Sequence, residues 1–206
     1  RFCAAVGTDP MRVVLSKQVH EPNVRLVTGA DAGKGLWRER DYQSVDAMIC
    51  NTPNLPLVVF SADCGIILLH DPVHAAVGAV HAGWRGAAQG LVSIALRRMG
   101  EVFGTHPADV RAAIGAGIGQ CCFETDGDVP QAMRAALGAA AEPYIEQRGA
   151  KWHVDLKGIN AHWLRADGVE QIDVCAHCTA CRPDLYWSHR RMGNARGAQI
   201  AMIALR

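Results

Sequence analysis

The amino-acid sequence predicts a layered α/β domain built around a mixed β-sheet. Its 206 residues suit a single domain spanning 1–206, and half of them are hydrophobic, which is enough for a substantial buried core. Short apolar runs alternate with segments whose apolar residues recur at helical spacing. Several early apolar runs follow one another without a helix between them, which favours hairpins inside the sheet.

Six apolar segments before residue 84 are predicted as strands. The first two are separated by a Glu-Pro-Asn turn, and they are MRVVLSKQVH and NVRLVTG. The other four contain the near-continuous Val, Ile and Leu runs that are typical of strands covered on both faces. These four are DAMICN, LPLVVFSADC, GIILLHD and HAAVGAVHAG.

Helices and strands alternate in the rest of the chain. Helical spacing predicts helices in GAAQGLVSIALRRMG, DVPQAMRAALGAAAE and LKGINAHWLRADG. The first of these ends in two arginines and Gly100, which is a usual helix stop. Four strands are predicted in DVRAAIGAGIG, KWHVDL, EQIDVCA and AQIAMIAL.

Composition argues against several classes of function. Lys and Arg number 21 against 20 Asp and Glu, so the formal charge of +1 does not favour bulk electrostatic binding of nucleic acid or of an acidic membrane. No apolar run approaches the roughly 20 residues that cross a bilayer. Eight cysteines are few for a chain of this length. We therefore expect reduced thiols and a cytoplasmic location.

Three residues that close apolar runs are candidate metal ligands. Cys64 and His81 each stand where an apolar run breaks into glycine, and His20 closes a run before a Pro-containing turn. Residues at strand ends commonly face a cleft. Two imidazoles and one thiolate can bind zinc and leave a fourth position for water or substrate. Taken singly, Cys64 is more typical of a small buried thiol and His81 of a core histidine, and the spacing alone fixes no geometry.

The segment HAGWRGAAQG predicts an anion pocket beside a planar ring. Gly83 and Gly86 let the backbone approach a ligand closely, and a helix is expected to begin near Ala87. Arg85 offers a guanidinium for phosphate or carboxylate, and Trp84 offers a flat apolar face. The alternative is a tight strand-to-helix turn with a surface arginine.

Three further polar features admit two interpretations each. The CAHCTAC segment at 175–181 could, with His177, form a structural zinc or iron–sulfur site. Such a site needs a fourth ligand, which Cys121 or Cys122 could supply only if the fold brings them near, so we expect simple thiols at a strand end. Asn160 lies on an apolar helix stripe and needs a hydrogen bond, from a neighbouring loop or from a ligand. The segment 188–197 contains three arginines that are either solvated or near a phosphate.

The same residues resemble a known family. The matching pieces occur in family order across nearly the whole chain, and they are KQVH, SADC, HAGWRG, IGAGIGQCCFE, VDLKGIN, CT and SHRR. On these motifs the chain is identified as a member of the laccase-domain family, also called the polyphenol oxidase or YfiH-like family. That family includes purine nucleoside phosphorylases and a peptidoglycan editing factor.

The resemblance implies a fold, a metal and a reaction. The fold would be a three-layer α/β/α arrangement with a mixed sheet, similar to the catalytic domain of a cytotoxic necrotizing factor. His20, Cys64 and His81 would bind Zn²⁺, with Cu²⁺ as the alternative. Family members are described as cleaving adenosine, inosine and methylthioadenosine with phosphate, and as deaminating adenosine. The expected partners are therefore a purine nucleoside and phosphate, and neither nucleic acid nor a membrane; no oligomeric state is predicted.

Two residues and one segment depart from the family pattern. Glu21 stands where glycine is usual, and Phe123 replaces a usual tyrosine. Family chains normally have an N-terminal stretch with Gly-Gly and Ser-Leu-Asn elements before the first of these motifs. We expect the 206 residues to lack that stretch.

Roles in phosphorolysis follow from this resemblance. Zinc is expected to orient phosphate or an activated water. Arg85 and the adjoining helix start are the main predicted phosphate ligands, with Lys17 and Arg191 as further candidates. Asp63 is predicted to hydrogen-bond a ligand histidine. Gln18 and Asn160 are predicted sugar or base contacts.

Three alternative functions stay open. The first is a Cys/His hydrolase in peptidoglycan precursor editing, with Cys64 as nucleophile and His81 as base. The second is a copper-dependent polyphenol oxidase, although one site with two histidines and one cysteine cannot hold the several coppers of true laccases. The third is a non-catalytic nucleoside-binding module.

Overall fold

A computed structural model describes residues 1–206 as twelve strands and six α-helices. The strands are β1 (Val14–Leu15), β2 (Val24–Leu26), β3 (Ala47–Cys50), β4 (Leu57–Ser61), β5 (Gly65–Asp71), β6 (Ala76–Ala82), β7 (Arg111–Ile114), β8 (Glu124–Thr125), β9 (Ile145–Arg148), β10 (Lys151–Val154), β11 (Gln171–Val174) and β12 (Gln199–Ile203). The helices are α1 (Phe2–Ala5), α2 (Trp84–Ala88), α3 (Leu91–Phe103), α4 (Asp128–Leu137), α5 (Leu156–Ala166) and α6 (His189–Met192). None of these helices has the length and apolar character needed to cross a membrane.

A six-stranded mixed sheet forms the centre of the molecule. Its strand order is β11-β7-β5-β6-β3-β2. The inner strands β7, β5, β6 and β3 pair antiparallel, whereas β11 and β2 join the two edges in parallel register. Two smaller sheets have the orders β1-β4-β12 and β8-β10-β9. The predicted α/β class with a mixed sheet is confirmed.

Alternate residues of the central strands face two different layers. In β5, Ile67 and Leu69 pack in one core with helices α3 and α5, whereas Ile66 belongs to the core shared with β1 and β4. Side chains alternate in this way because successive residues of a strand point to opposite faces. Helices thus cover one face of the central sheet. The other face is covered by the sheet β1-β4-β12, which contributes apolar residues such as Val14 and Leu57. The family resemblance had implied helices in this layer.

The first two predicted strands are shorter than expected, and they do not form a hairpin. β1 pairs in parallel with β4, and β2 pairs in parallel with β3. Side chains divert the chain between them. The Gln18 amide bonds both the N–H and the carbonyl of Phe60, and the Asp46 carboxylate accepts three consecutive N–H groups from residue 19 onward. The segment that would continue β1 is therefore a loop that presents His20.

The helix predicted after His81 begins earlier than expected and is interrupted. It begins at Trp84 rather than near residue 87, and it splits into α2 and α3 at Gly90, where φ is +64°. A Cβ atom at Gly90 would lie 3.3 Å from the Trp163 ring of α5. The break lets α3 pack on the central sheet while α2 lies beside α4 and α5.

Candidate metal centre and adjoining cavity

Three chain segments bring one cysteine and two histidines together. Cys64 immediately precedes β5, His81 lies in β6 opposite Ile66, and His20 lies in the loop after β1. The donor atoms of the three side chains all lie within 4.8 Å of one another. The Sγ of Cys64 is 3.7 Å from Nε2 of His20. The three residues named by the sequence therefore converge on one place, although His20 lies in a loop and not at a strand end.

Asp46 orients the two histidines. Its buried carboxylate lies 2.8 Å from Nδ1 of His81, which leaves Nε2 as the free ring nitrogen. The same carboxylate accepts the backbone N–H of His20 at 3.1 Å and those of Val19 and Glu21 at 2.9 and 3.2 Å. These bonds hold His20 at a φ of +67°, a conformation that is uncommon for a residue other than glycine.

Gly83 is required by the close approach of two of the donor side chains. A Cβ atom there would lie 2.8 Å from Cδ2 of His20 and 3.1 Å from Sγ of Cys64. The first distance is below van der Waals contact, so a side chain at this position would displace His20. The glycine of the HAGWRG motif therefore makes room for the metal-ligand candidates.

The three side chains shift one another's protonation. Burial opposes ionisation of Cys64, but its contacts with His20 and His81 prevail and lower the pKa of this thiol to about 7. Burial likewise opposes the charged form of His81, yet Asp46 and Cys64 raise its pKa to about 9. The bond to Cys64 also raises the pKa of His20. These shifts favour a thiolate at Cys64 beside a protonated His81.

An open cavity of about 330 Å³ adjoins the three side chains. It combines an apolar wall with basic groups, and its lining residues are His20, Ala62, Asp63, Cys64, Ile118, Phe123, His189, Arg190 and Arg196. Such a combination suits a ligand with a flat apolar part and an anionic part.

Only some of the predicted arginines reach this cavity. Arg190 lines it, but its guanidinium donates to the carbonyls of Cys122 and Glu124 at 3.0 and 2.8 Å. Arg196 also lines it, is exposed, and donates through Nε to Nδ1 of His189 at 3.3 Å. Arg191 does not line the cavity, because it donates to the carbonyl of Ala180 at 3.3 Å.

The other predicted phosphate ligands lie elsewhere. Arg85 is exposed and stacks on the ring of Trp84, with its Cζ atom 4.3 Å from the ring centroid. Trp84 itself packs against the core between α2, α4 and α5. Lys17 lines a separate cavity of about 460 Å³ together with Arg38 and Arg40. The predicted anion pocket at the start of α2 is therefore not part of this cavity.

Two of the polar predictions acquire structural roles. Asp63 lines the cavity but does not touch a ligand histidine: its carboxylate accepts from Oγ1 of Thr179 at 2.5 Å and from the backbone N–H of Arg190 at 2.6 Å. The histidine-orienting role predicted for Asp63 belongs to Asp46. Gln18 uses its amide on Phe60, 2.7 and 2.8 Å away, and so ties the His20 loop to β4.

Asn160 is fully buried and does not line the cavity. Its Nδ2 donates to the carbonyl of Leu156 at 2.8 Å within α5, and its Oδ1 has no partner. A Cβ atom at Gly65, the residue after Cys64, would lie 3.5 Å from this Nδ2. Asn160 therefore packs against the start of β5, next to Cys64.

The sequence analysis did not name Asp46, and it considered the 188–197 segment either solvated or near a phosphate. Asp46 had a signal, since an acidic residue inside the apolar run SVDAMIC needs a buried partner. His189, the first residue of α6, and Arg196 line the same cavity as Phe123 and Ile118, which lie far from them in the sequence.

Comparisons with known proteins agree with the motifs. The family described as multi-copper polyphenol oxidoreductase laccase matches residues 1–206. The purine nucleoside phosphorylase YlmD of Bacillus subtilis (strain 168) is 33% identical over 206 residues, covering 97% of this chain and 73% of that protein. The purine nucleoside phosphorylase YfiH of Escherichia coli (strain K12) is 32% identical over 187 residues, covering 91% of this chain and 72% of that protein.

Solved structures show the same fold. The crystal structure of the Bacillus licheniformis hypothetical protein YfiH superposes with a TM-score of 0.95 at 31% identity, over 100% of this chain and 78% of that one. YlmD from Geobacillus stearothermophilus superposes with a TM-score of 0.93 at 30% identity, over 100% of this chain and 78% of that one. The chain therefore belongs to the laccase-domain, or YfiH-like, family that its motifs indicated.

Proposed function

We propose that this chain is a zinc-dependent purine nucleoside phosphorylase. It would use phosphate to cleave adenosine, inosine or methylthioadenosine into the free base and ribose 1-phosphate, and the same site would deaminate adenosine. The main support is the convergence of the donor atoms of His20, Cys64 and His81 within 4.8 Å beside an open cavity. The names of the relatives as purine nucleoside phosphorylases support the reaction class.

The donor set fits zinc. Two imidazole nitrogens and one thiolate are ligand types that zinc prefers, and three protein ligands leave one position open. Asp46 supplies the carboxylate that commonly accepts the second N–H of a ligating histidine. When bound, zinc supplies a Lewis-acidic positive charge beside the cavity.

The cavity supplies the remaining functions of phosphorolysis. In that reaction a phosphate oxygen bonds to C1′ of the ribose while the bond from C1′ to the purine nitrogen breaks, and the purine leaves with the electron pair and takes up a proton. Arg196 is our candidate for holding phosphate, because it lines the cavity, is exposed, and bonds only His189 and the carbonyl of Gly197. Phe123 and Ile118 offer the apolar wall against which a purine ring packs.

The test is phosphorolysis by the purified protein. Inosine, adenosine and methylthioadenosine are each incubated with phosphate, and the free base and ribose 1-phosphate are quantified. Cys64→Ala is expected to abolish turnover, and Cys3→Ser, which changes a cysteine that does not line the cavity, is expected to leave it unchanged. Turnover that persists in Cys64→Ala, or that survives removal of all bound metal, would contradict the proposal.

A Cys/His hydrolase is the second candidate, because the Sγ of Cys64 lies within 4.8 Å of ring nitrogens of both His20 and His81. The pKa of Cys64 is lowered to about 7, despite burial, by His20 and His81, and such a thiol is an activated nucleophile at neutral pH. This function predicts hydrolysis of a muropeptide precursor by metal-free protein, and loss of that activity when Cys64 is alkylated. Dependence of the activity on zinc would reject it.

A further inference from the structure

Four cysteines form a second cluster away from His20, Cys64 and His81. The Sγ atoms of Cys121, Cys122, Cys178 and Cys181 all lie within 4.8 Å of one another. The sequence predicted simple thiols in the CAHCTAC segment unless the fold brought Cys121 and Cys122 near, and the fold does so. Cys175, the first cysteine of that segment, lies outside the cluster.

The distances inside the cluster suit a tetrahedral metal site. The Sγ of Cys181 is 3.7 Å from that of Cys121 and 3.4 Å from that of Cys122. Zinc bound to four sulfurs at about 2.3 Å requires sulfur-to-sulfur distances of about 3.8 Å. All four cysteines are free thiols in the structure. The observed separations are thus close to those of a four-thiolate site.

Local backbone structure presents the four thiols from two turns. Cys121 and Cys122 lie in a turn in which Gly119 accepts the N–H of Cys122 at 3.0 Å. Cys178 and Cys181 lie in a second turn, closed by the bond from the N–H of Arg182 to the carbonyl of Cys178 at 3.1 Å. Each turn offers a pair of thiols to the other, as in zinc sites built from two cysteine pairs.

The backbone of Gly119 lies against the four-cysteine cluster, where a side chain would be crowded. Its N–H donates to Sγ of Cys178 at 3.2 Å, which is the bond expected for a thiolate in a metal site. A Cβ atom at this position would lie 3.2 Å from Sγ of Cys121 and 3.1 Å from Cβ of Cys178. The turn is therefore packed as closely against the sulfurs as a residue without a side chain permits.

We propose that Cys121, Cys122, Cys178 and Cys181 bind a structural Zn²⁺ ion that joins the 119–122 turn to the 178–181 turn. Four thiolates on one dication carry a net charge of about −2, and the Arg190 guanidinium on the carbonyl of Cys122 lies beside this charge. The site takes zinc because all four ligands are soft thiolates in a closed set, with no position left for water.

The proposed ion also fixes one wall of the cavity. Thr179, inside the 178–181 turn, donates to the carboxylate of Asp63, and its backbone N–H bonds Gly117. Ile118 in turn donates to the carbonyl of Asp63 at 2.8 Å. Asp63 directly precedes Cys64. A zinc ion that locks the two cysteine turns together would therefore hold the loop that presents Cys64.

X-ray absorption at the zinc edge tests the four-cysteine site. The measurement uses the Cys64→Ala variant, in which the site of His20, Cys64 and His81 has lost its only sulfur ligand. Any zinc held by His20 and His81 alone would have nitrogen and oxygen neighbours, so sulfur neighbours report only the four-cysteine cluster. We expect about one zinc per chain with four sulfurs at about 2.3 Å. Zinc-supplemented Cys64→Ala without such a shell would overturn the proposal, as would a disulfide among the four cysteines or iron in place of zinc.

Two further variants of the Cys64→Ala protein provide a matched comparison. Adding Cys181→Ser is expected to remove the sulfur-bound zinc, whereas adding Cys175→Ser, which changes the same CAHCTAC segment outside the cluster, is expected to retain it. Loss of the ion in both variants, or in neither, would contradict the assignment. If the Cys181→Ser protein does not fold, the sulfur shell of the Cys64→Ala protein still decides.

Discussion

The Nδ1 atom of His81 lies 2.8 Å from Oδ1 of Asp46, and both side chains are buried. The same carboxylate binds the backbone of His20, so one acidic residue positions both histidines of the candidate metal centre. A buried carboxylate of this kind fixes the ring orientation of a histidine and makes its free nitrogen a better ligand.

Replacement of Asp46 by asparagine is expected to lower zinc affinity by about 10- to 100-fold, because the charged partner of His81 is lost. Competition with a chelator of known affinity measures this change. Asp126→Asn is the matched variant, since Asp126 is exposed and its carboxylate pairs with Lys151. Zinc affinity that is unchanged in Asp46→Asn, or that falls equally in Asp126→Asn, would contradict the role of Asp46.

Gly83→Ala is expected to abolish zinc binding at the first centre while the chain still folds. The added Cβ atom would lie 2.8 Å from His20 and would push that ring out of the donor set. Metal content and circular dichroism of the purified variant test the two halves of this prediction. Gly127→Ala is the control, because a Cβ atom there meets nothing within 4 Å. Normal zinc content in Gly83→Ala would show that His20 is not a required ligand.

Arg196→Ala is expected to raise the KM for phosphate about tenfold or more, because one charge-assisted hydrogen bond is worth about 1.5–3 kcal/mol. The KM for the nucleoside should change less. Arg196 lines the cavity, whereas Arg191 bonds the carbonyl of Ala180. Arg191→Ala should therefore leave the phosphate KM near that of the unmodified protein. Steady-state kinetics with phosphate varied at saturating inosine distinguishes the two, and equal effects would remove Arg196 from phosphate binding.

The buried Asp31 makes folding stability depend on pH below about 4. Burial opposes its ionisation, but Lys34 and Arg25, each 2.7 Å away, together with the backbone of Thr28, lower its pKa from 3.8 to about 2. Since the folded-state pKa is the lower one, the stabilisation is present above pH 4 and is lost as the pH falls from about 4 to about 2. Its size is on the order of 2 kcal/mol.

Urea unfolding between pH 7 and pH 2 tests this dependence. Asp31→Asn should lower the free energy of unfolding at pH 7 and flatten its decline below pH 4. Asp126→Asn, which removes an exposed carboxylate, should leave the decline unchanged. Parallel curves for Asp31→Asn and the unmodified protein would show that Asp31 contributes nothing to this dependence.

The sequence alone predicted the α/β class, the central strands and the three metal-ligand candidates. Patterns of this kind are local: each apolar run from β3 to β6 contains one strand, and His20, Cys64 and His81 each stand where an apolar run ends. The family motifs added the expectation that these three side chains meet, which the spacing did not contain.

Only the tertiary structure decided which side chains share a site. Asp46 and His81 are 35 residues apart, and Cys121 and Cys181 are 60 residues apart. Whether such pairs touch depends on strand order and on the path of the loops, because side chains can bond only where the packed sheet and turns place their atoms within a few ångströms. For the same reason Arg85 and Lys17 lie outside the cavity, although they belong to the HAGWRG and KQVH motifs that contain His81 and His20.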